Sequence, residues 1–238
     1  MQARAPNGPR RVAGGVARGD ARAVDDPGGV AYVPPGFAMS GVSARAMLSR
    51  ARAVDLVTWS RGSMRASFVP VVHEPASGSF GSLVGHVARA NAQWRAADGA
   101  DALVVVHGPD AYVSPSWYAS KKDHGRVVPT WNYSAVYATG RLVVHDDPDW
   151  VESVVRRLTE AHEGGRARPW SVDDAPRDYL EAQLRAVVGV EVVVARVEGK
   201  AKWSQNRSGP DSSGVLDGLE EDGELDAARE MRRVVTER

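Results

Sequence analysis

The run VVPTWNYSAVYATGRLVVH, residues 127–145, decides the architecture. Trp131, Tyr133, Ala135 and Tyr137 fall on one face of an extended chain, and Val136, Ala138, Leu142 and Val144 fall on the other. Side chains alternate with period two in a strand, so both faces of this one are mostly apolar. That pattern suits a strand in a barrel wall, packed inside and covered outside.

Working towards the N-terminus, VDLVTW (54–59), RASFVPVV (65–72), SFGSLVGH (79–86) and ALVVVH (102–107) read as further strands, separated by Gly, Ser, Asp and Pro. Residues 43–53 place Ala44, Met47, Leu48 and Ala51 at helical spacing, with Ser40 or Ser43 as a cap. Pro34 and Pro35 enforce an extended entry before that helix.

Towards the C-terminus, DDPDWVESVVRRLTEAHEGG (146–165) is a helix. Asp147 caps it, Pro148 fits its first turn, Val151, Val154, Val155 and Leu158 form its stripe, and Gly164 stops it. A second helix is expected over 176–188, then the strand VGVEVVVARVEGKAKW (188–203) and a polar turn SQNRSGPDSSG. The expected fold class is mainly β with flanking helices (α+β), a small barrel with helical decoration. Residues 1–29 hold no aromatic, Leu or Ile and are expected to form a disordered tail. The domain is expected over 30–216, with 217–238 a charged tail or loose helix.

Composition narrows the chemistry. The 238 residues are 43% hydrophobic, and 30 Lys plus Arg balance 30 Asp plus Glu. A zero net charge argues against a global nucleic-acid binder. The absence of cysteine removes disulfides, thiol nucleophiles and thiolate-ligated metals. No apolar run reaches the length of a membrane span, and the arginine-rich N-terminus lacks the apolar block of a secretory signal, so a cytoplasmic location is expected. Nucleophile elbow, catalytic triad, spaced carboxylate pair and glycine-rich dinucleotide loop are all missing.

Three stretches carry donors. In LVGHVARANAQW (83–94), a Gly-punctuated strand end followed by Arg89 and Asn91 suits an anion such as a phosphate; the same residues also read as a surface arginine and a capping asparagine. His86 in that stretch is either a hydrogen-bonded structural histidine or a cofactor donor or metal ligand. The histidines show no paired ligand spacing, although a single axial ligand to a haem iron needs none. Residues 108–133 gather tryptophans, tyrosines and prolines beside Ser116, Thr130 and Asn132, which makes either a stiff packed loop or a wall for a flat heterocycle. KWSQNR (202–207) is a polar turn or a lid of donors over a cofactor edge.

The succession YVPPGF, LVGHVARANAQW, GPDAYVSPSWY, VPTWNY, PW, VVGV and EGKAKWSQNR, over roughly residues 31–216, resembles the PaiB family of FMN-binding negative transcriptional regulators. The resemblance implies a dimeric split β-barrel of the FMN-binding, pyridoxamine-phosphate-oxidase-like type, with a small-molecule cofactor at the interface of a homodimer. By position, Arg89 and Asn91 would lie by the FMN phosphate, with Arg65 and Ser67 supporting the same end. Trp131 and Asn132 would border the ring system, and Gln205, Asn206 and Arg207 would close the site, from the partner chain in one arrangement. Direct DNA contact is not expected.

Phe68 stands where the family commonly has a histidine before the strand's proline. That departure keeps a second branch in view, similar to haem-dependent piperazate synthases, which close N5-hydroxyornithine through an N–N bond. In that branch haem b would take His86 as its axial ligand. A flavin-dependent oxidoreductase using the FMN site is a third reading.

Overall fold

The computed structural model describes residues 29–76 and 79–236. The expected N-terminal tail, Gly29 apart, lies outside the described residues. Six antiparallel strands close a barrel in the order β1-β2-β3-β6-β5-β4. After a single 3-10 turn at Pro35–Phe37 comes α1 (Gly41–Ser49), capped by the Ser40 side chain, which accepts from Ser43 N. Then come β1 (Ala53–Ser60) and β2 (Ser63–Glu74), joined by a two-residue turn with Arg61 and Gly62 both at positive φ. That is the turn whose twist matches paired strands.

Next are β3 (Ser82–Ala88), the short α2 (Trp94–Ala97), β4 (Asp101–Val113), the short α3 (Lys121–His124) and β5 (Thr130–His145). The long apolar run at 127–145 forms β5, which pairs along its length with β4 and β6. The capped helix is α4 (Pro148–Glu163), with Asp147 accepting from Trp150 N at 2.8 Å. It covers Val84 of β3 with Val154 and Leu158. Helix α5 (Arg177–Arg185) stops three residues short of the expected end, because Val187 already opens β6 (Val187–Lys202).

The barrel interior is filled by Val54, Leu56, Val69, Val71, Leu83, Val104, Val136, Leu142, Val190 and Val192, among others. One seam is short. β2 pairs with β1 from Ser63 to Pro70, but with β3 only through Val71–Glu74. The first half of β2 therefore has a ladder on one side and an open edge on the other, which leaves a notch between it and the end of β3.

The ends of β4, β5 and β6 run on past the barrel and carry a second cluster around Trp203, Tyr118, Val113 and Ala201. For residues 217–238, expected as a charged tail or loose helix, the structure has a helix, but a closely packed one: α6 (Gly209–Glu221) and α7 (Leu225–Thr236) pack on this cluster, with Ala227, Ala228 and Met231 at most 2% exposed. The apolar side of α7 is built mainly from alanine, which contributes little hydropathy. The expected turn after Trp203 is also half helix: Ser208 caps α6 and Pro210 lies in its first turn. Gly218 lets the Trp117 ring lie against α6, since a Cβ there would meet the indole at 2.3 Å. The boundary expected at 216 thus falls inside α6.

Candidate functional site: a donor-lined notch

The notch is bridged by side chains rather than by a ladder. Asn91, in the loop after β3, donates from Nδ2 to Ser67 Oγ on β2 at 2.8 Å. Its Oδ1 accepts from Gln93 N at 2.9 Å, which fixes the orientation of the amide. Gln93, 2% exposed, plugs the notch from behind. Its Nε2 donates to Leu56 O and Thr58 Oγ1 at 3.1 Å and reaches Arg65 O at 3.3 Å.

The consequence is a one-signed edge. Ser67 accepts from Asn91, so its own hydroxyl hydrogen is free to point outward. Asn91 keeps its second amide hydrogen. The exposed Arg65 guanidinium makes no ion pair or side-chain hydrogen bond among the described residues. Hydroxyl, amide and guanidinium donors at an open strand edge suit an acceptor-rich anion, and a phosphate monoester most directly. On the opposite face of β2, Phe68 is 71% exposed and offers a ring for a flat partner.

Arg89 stands apart from this set. Its Nη1 and Nη2 donate to the two Asp146 oxygens at 3.1 and 2.6 Å, and its Nε donates to Arg185 O at 2.7 Å. The hydrogen bond from Arg89 holds the Asp146 carboxyl below the usual carboxylate range. Arg89 ties the end of β3 to the start of β6, and most of its fork is engaged. Of the four residues expected near a phosphate, the structure joins Ser67 and Asn91, sets Arg65 on the same strand face as Ser67, and commits Arg89 elsewhere.

His86 lies on the outer face of β3, opposite Gly189 of β6. Its Nδ1 is buried without a hydrogen-bond partner among the described residues, and burial lowers its pKa from the usual 6.5. A neutral imidazole could ligate iron through such a nitrogen. The neighbouring surface is occupied, however. The Trp150 indole lies on Gly189, where an added Cβ would meet it at 2.2 Å, and stacks on His145 with centroids 3.7 Å apart. Helix α4 therefore takes the face that a planar group beside His86 would need. Among the described residues, no group of three or more His, Cys, Asp and Glu side chains is placed to hold a metal ion.

The remaining expected residues sit at the far end of the long strands. Trp131 is 51% exposed, donates from Nε1 to Asp110 at 2.8 Å, and meets Tyr112 edge-on. Asn132 is fully buried and exchanges hydrogen bonds with Ser204. Gln205 accepts from Trp203 N at 2.6 Å and donates to Ala201 O at 2.6 Å. Arg207 lies 4.6 Å over the Tyr118 ring, and Asn206 is exposed. Lys202 donates to Trp131 O at 2.8 Å and also to Thr130; burial lowers its pKa.

These residues are remote from the notch. Arg65 pairs with Thr58, and Thr58 with Ala102, whereas Trp131 pairs with Tyr112. Ten residues of β4 separate those positions, about 30 Å of strand. One chain does not bring the two sets to a single ligand.

Residues 31–196 match the family described as "Putative FMN-binding domain". A protein of Emericella nidulans is 31% identical over 207 residues, covering 74% of this chain and 82% of that protein. The Bacillus subtilis "Protease synthase and sporulation protein PAI 2" is 30% identical over 184 residues, covering 77% and 85%. Among solved structures, a flavocytochrome of Azotobacter vinelandii aligns over 70% of this chain and 69% of its own, at 15% identity and a TM-score of 0.49. Together with the six-stranded barrel and its donor-lined notch, the match over most of the described chain makes this protein a member of the PaiB-like FMN-binding family.

Proposed function

We propose that the notch holds the phosphate end of FMN, and that the protein works as a dimeric flavin-binding regulator of the PaiB type. The observation that carries this reading is the Asn91–Ser67 hydrogen bond, which turns the notch into an edge of hydrogens beside the Arg65 guanidinium, unpaired among the described residues. Bound FMN supplies a redox-active planar ring. The chain's own residues bind and orient it: Arg65, Ser67 and Asn91 take the anion, Gln93 keeps them in place, and Phe68 flanks the open edge.

Dimerisation is part of the proposal, because Trp131 and Arg207 reach a flavin at the notch only from a second copy. The outer faces of β1, β2 and β4 favour such a partner. Trp59, Met64 and Phe68 are 59–71% exposed there, beside a groove of about 470 Å³ lined by Val57, Trp59, Met64 and Leu103. Exposed apolar strips of this kind mark association surfaces. Light scattering of the purified protein should give twice the chain mass, and Phe68→Glu with Trp59→Lys should give the monomer; a monomeric wild type would contradict the dimer.

Regulation without direct DNA contact is part of the reading, and the zero net charge supports it. A mobility shift with DNA at low salt would contradict that part.

A further inference from the structure

A second site lies away from the notch. The β1–β4 ladder runs from Asp55–Thr58 against Ala102–Val105 and stops; β4 then bulges between His107 and Asp110. The departure of β4 opens a cleft of about 670 Å³, walled by α1 on one side and by Glu230 and Arg233 of α7 on the other. That size is in the range of small-molecule sites.

Its charges are unequal. On the α7 wall, Glu230 and Arg233 pair at 2.6 Å, and Glu230 also accepts from Ser134 at 2.8 Å. His107 is held by Asp55 at 2.8 Å. On the α1 wall, Arg50 donates from Nε to Ala46 O at 3.0 Å, which pins its stem and leaves both Nη groups unbonded among the described residues. Arg52 makes no side-chain hydrogen bond or ion pair among them. The Ser43 hydroxyl accepts from Ser40 and keeps its hydrogen. Two guanidinium forks without a carboxylate therefore face the cleft beside apolar Val42, Ala46, Met47 and Pro109.

We propose that this cleft binds a small organic anion, with its carboxylate or phosphate on Arg50 and Arg52 and its apolar body on Val42, Ala46 and Met47. Guanidinium forks match both kinds of oxyanion in two-point geometry. The site is independent of the flavin reading, since Arg65, Ser67 and Asn91 do not line it.

The test is calorimetric titration of the full chain with benzoate and with phenyl phosphate, using benzyl alcohol as the uncharged control. One-to-one saturable binding of at least one anion is expected, with none of the alcohol. Arg52→Ala should weaken it at least tenfold and the Arg50→Ala/Arg52→Ala double variant further, with the circular dichroism spectrum unchanged. No saturable anion binding, or equal binding by the double variant, overturns the proposal. So does binding that is lost instead in Ser67→Ala, which would place the anion in the notch.

Discussion

At the notch, Asn91 donates to Ser67 while its own amide oxygen is taken by Gln93 N, so each side chain keeps a hydrogen to give; at the far end of β5 and β6, Asn132 and Ser204 close on each other in the interior. The same residue types, an amide and a hydroxyl, make an open donor edge in one place and a structural clasp in the other. Burial separates them. Asn132 has no exposed surface, whereas Ser67 and Asn91 are half-buried beside an open strand edge. Donors stay available to a ligand where a ladder is incomplete, as along the first half of β2, which pairs with β3 only through Val71–Glu74.

The largest expected effects test the far end as structure. Trp203 is fully buried and donates to Ser134 at 2.8 Å. Trp203→Ala should lower unfolding free energy by about 3–5 kcal/mol in urea titrations. Asn132→Ala should cost about 1–3 kcal/mol, because the buried partner loses its hydrogen bonds. If Asn132→Ala instead left stability intact and weakened FMN binding, the contrast with the notch would fail.

Changes at the notch should behave in the opposite way. Arg65→Ala and Ser67→Ala should each raise the FMN dissociation constant roughly ten- to hundredfold, the worth of a charged hydrogen bond. Stability should stay within about 0.5 kcal/mol for the exposed Arg65. Fluorescence titration of FMN and urea unfolding of the same samples separate the two effects.

The smallest effect concerns His86. Burial holds its pKa below the unfolded value of 6.5, so below that pH the unfolded chain binds more protons than the folded one. Stability should therefore fall as pH drops below 6.5, and His86→Gln should flatten that slope. The variant should leave flavin binding unchanged, and haemin mixed with either protein should keep the Soret band of free haemin. A shifted, sharpened Soret band in the wild type that His86→Gln removes would restore the haem branch.

Much of the fold was legible because it rests on local period and punctuation. β5 declared itself by alternation, and α4 by Asp147, Pro148 and the valine stripe. The close packing of the C-terminal helices was not legible, because α7 buries alanines and its packing depends on Trp203 and Trp117, distant in sequence. The site was legible in motif order but not in geometry. Ser67 and Asn91 meet across 24 positions, and Arg89 is claimed by Asp146 across 57. Gln93, the buried plug, looked like one more polar residue in ARANAQW. Nothing in spacing alone distinguishes an engaged arginine from an open one.

The most direct measurement is FMN titration of the wild type beside Asn91→Ala, which removes both the outward amide hydrogen and the clasp on Ser67. The wild type should bind FMN saturably with flavin absorption bands shifted from those of free FMN. Asn91→Ala should bind at least tenfold more weakly while riboflavin, which lacks the phosphate, binds both proteins equally weakly. Equal FMN affinity in the two proteins, or riboflavin binding as tight as FMN, would contradict a phosphate seat at the notch.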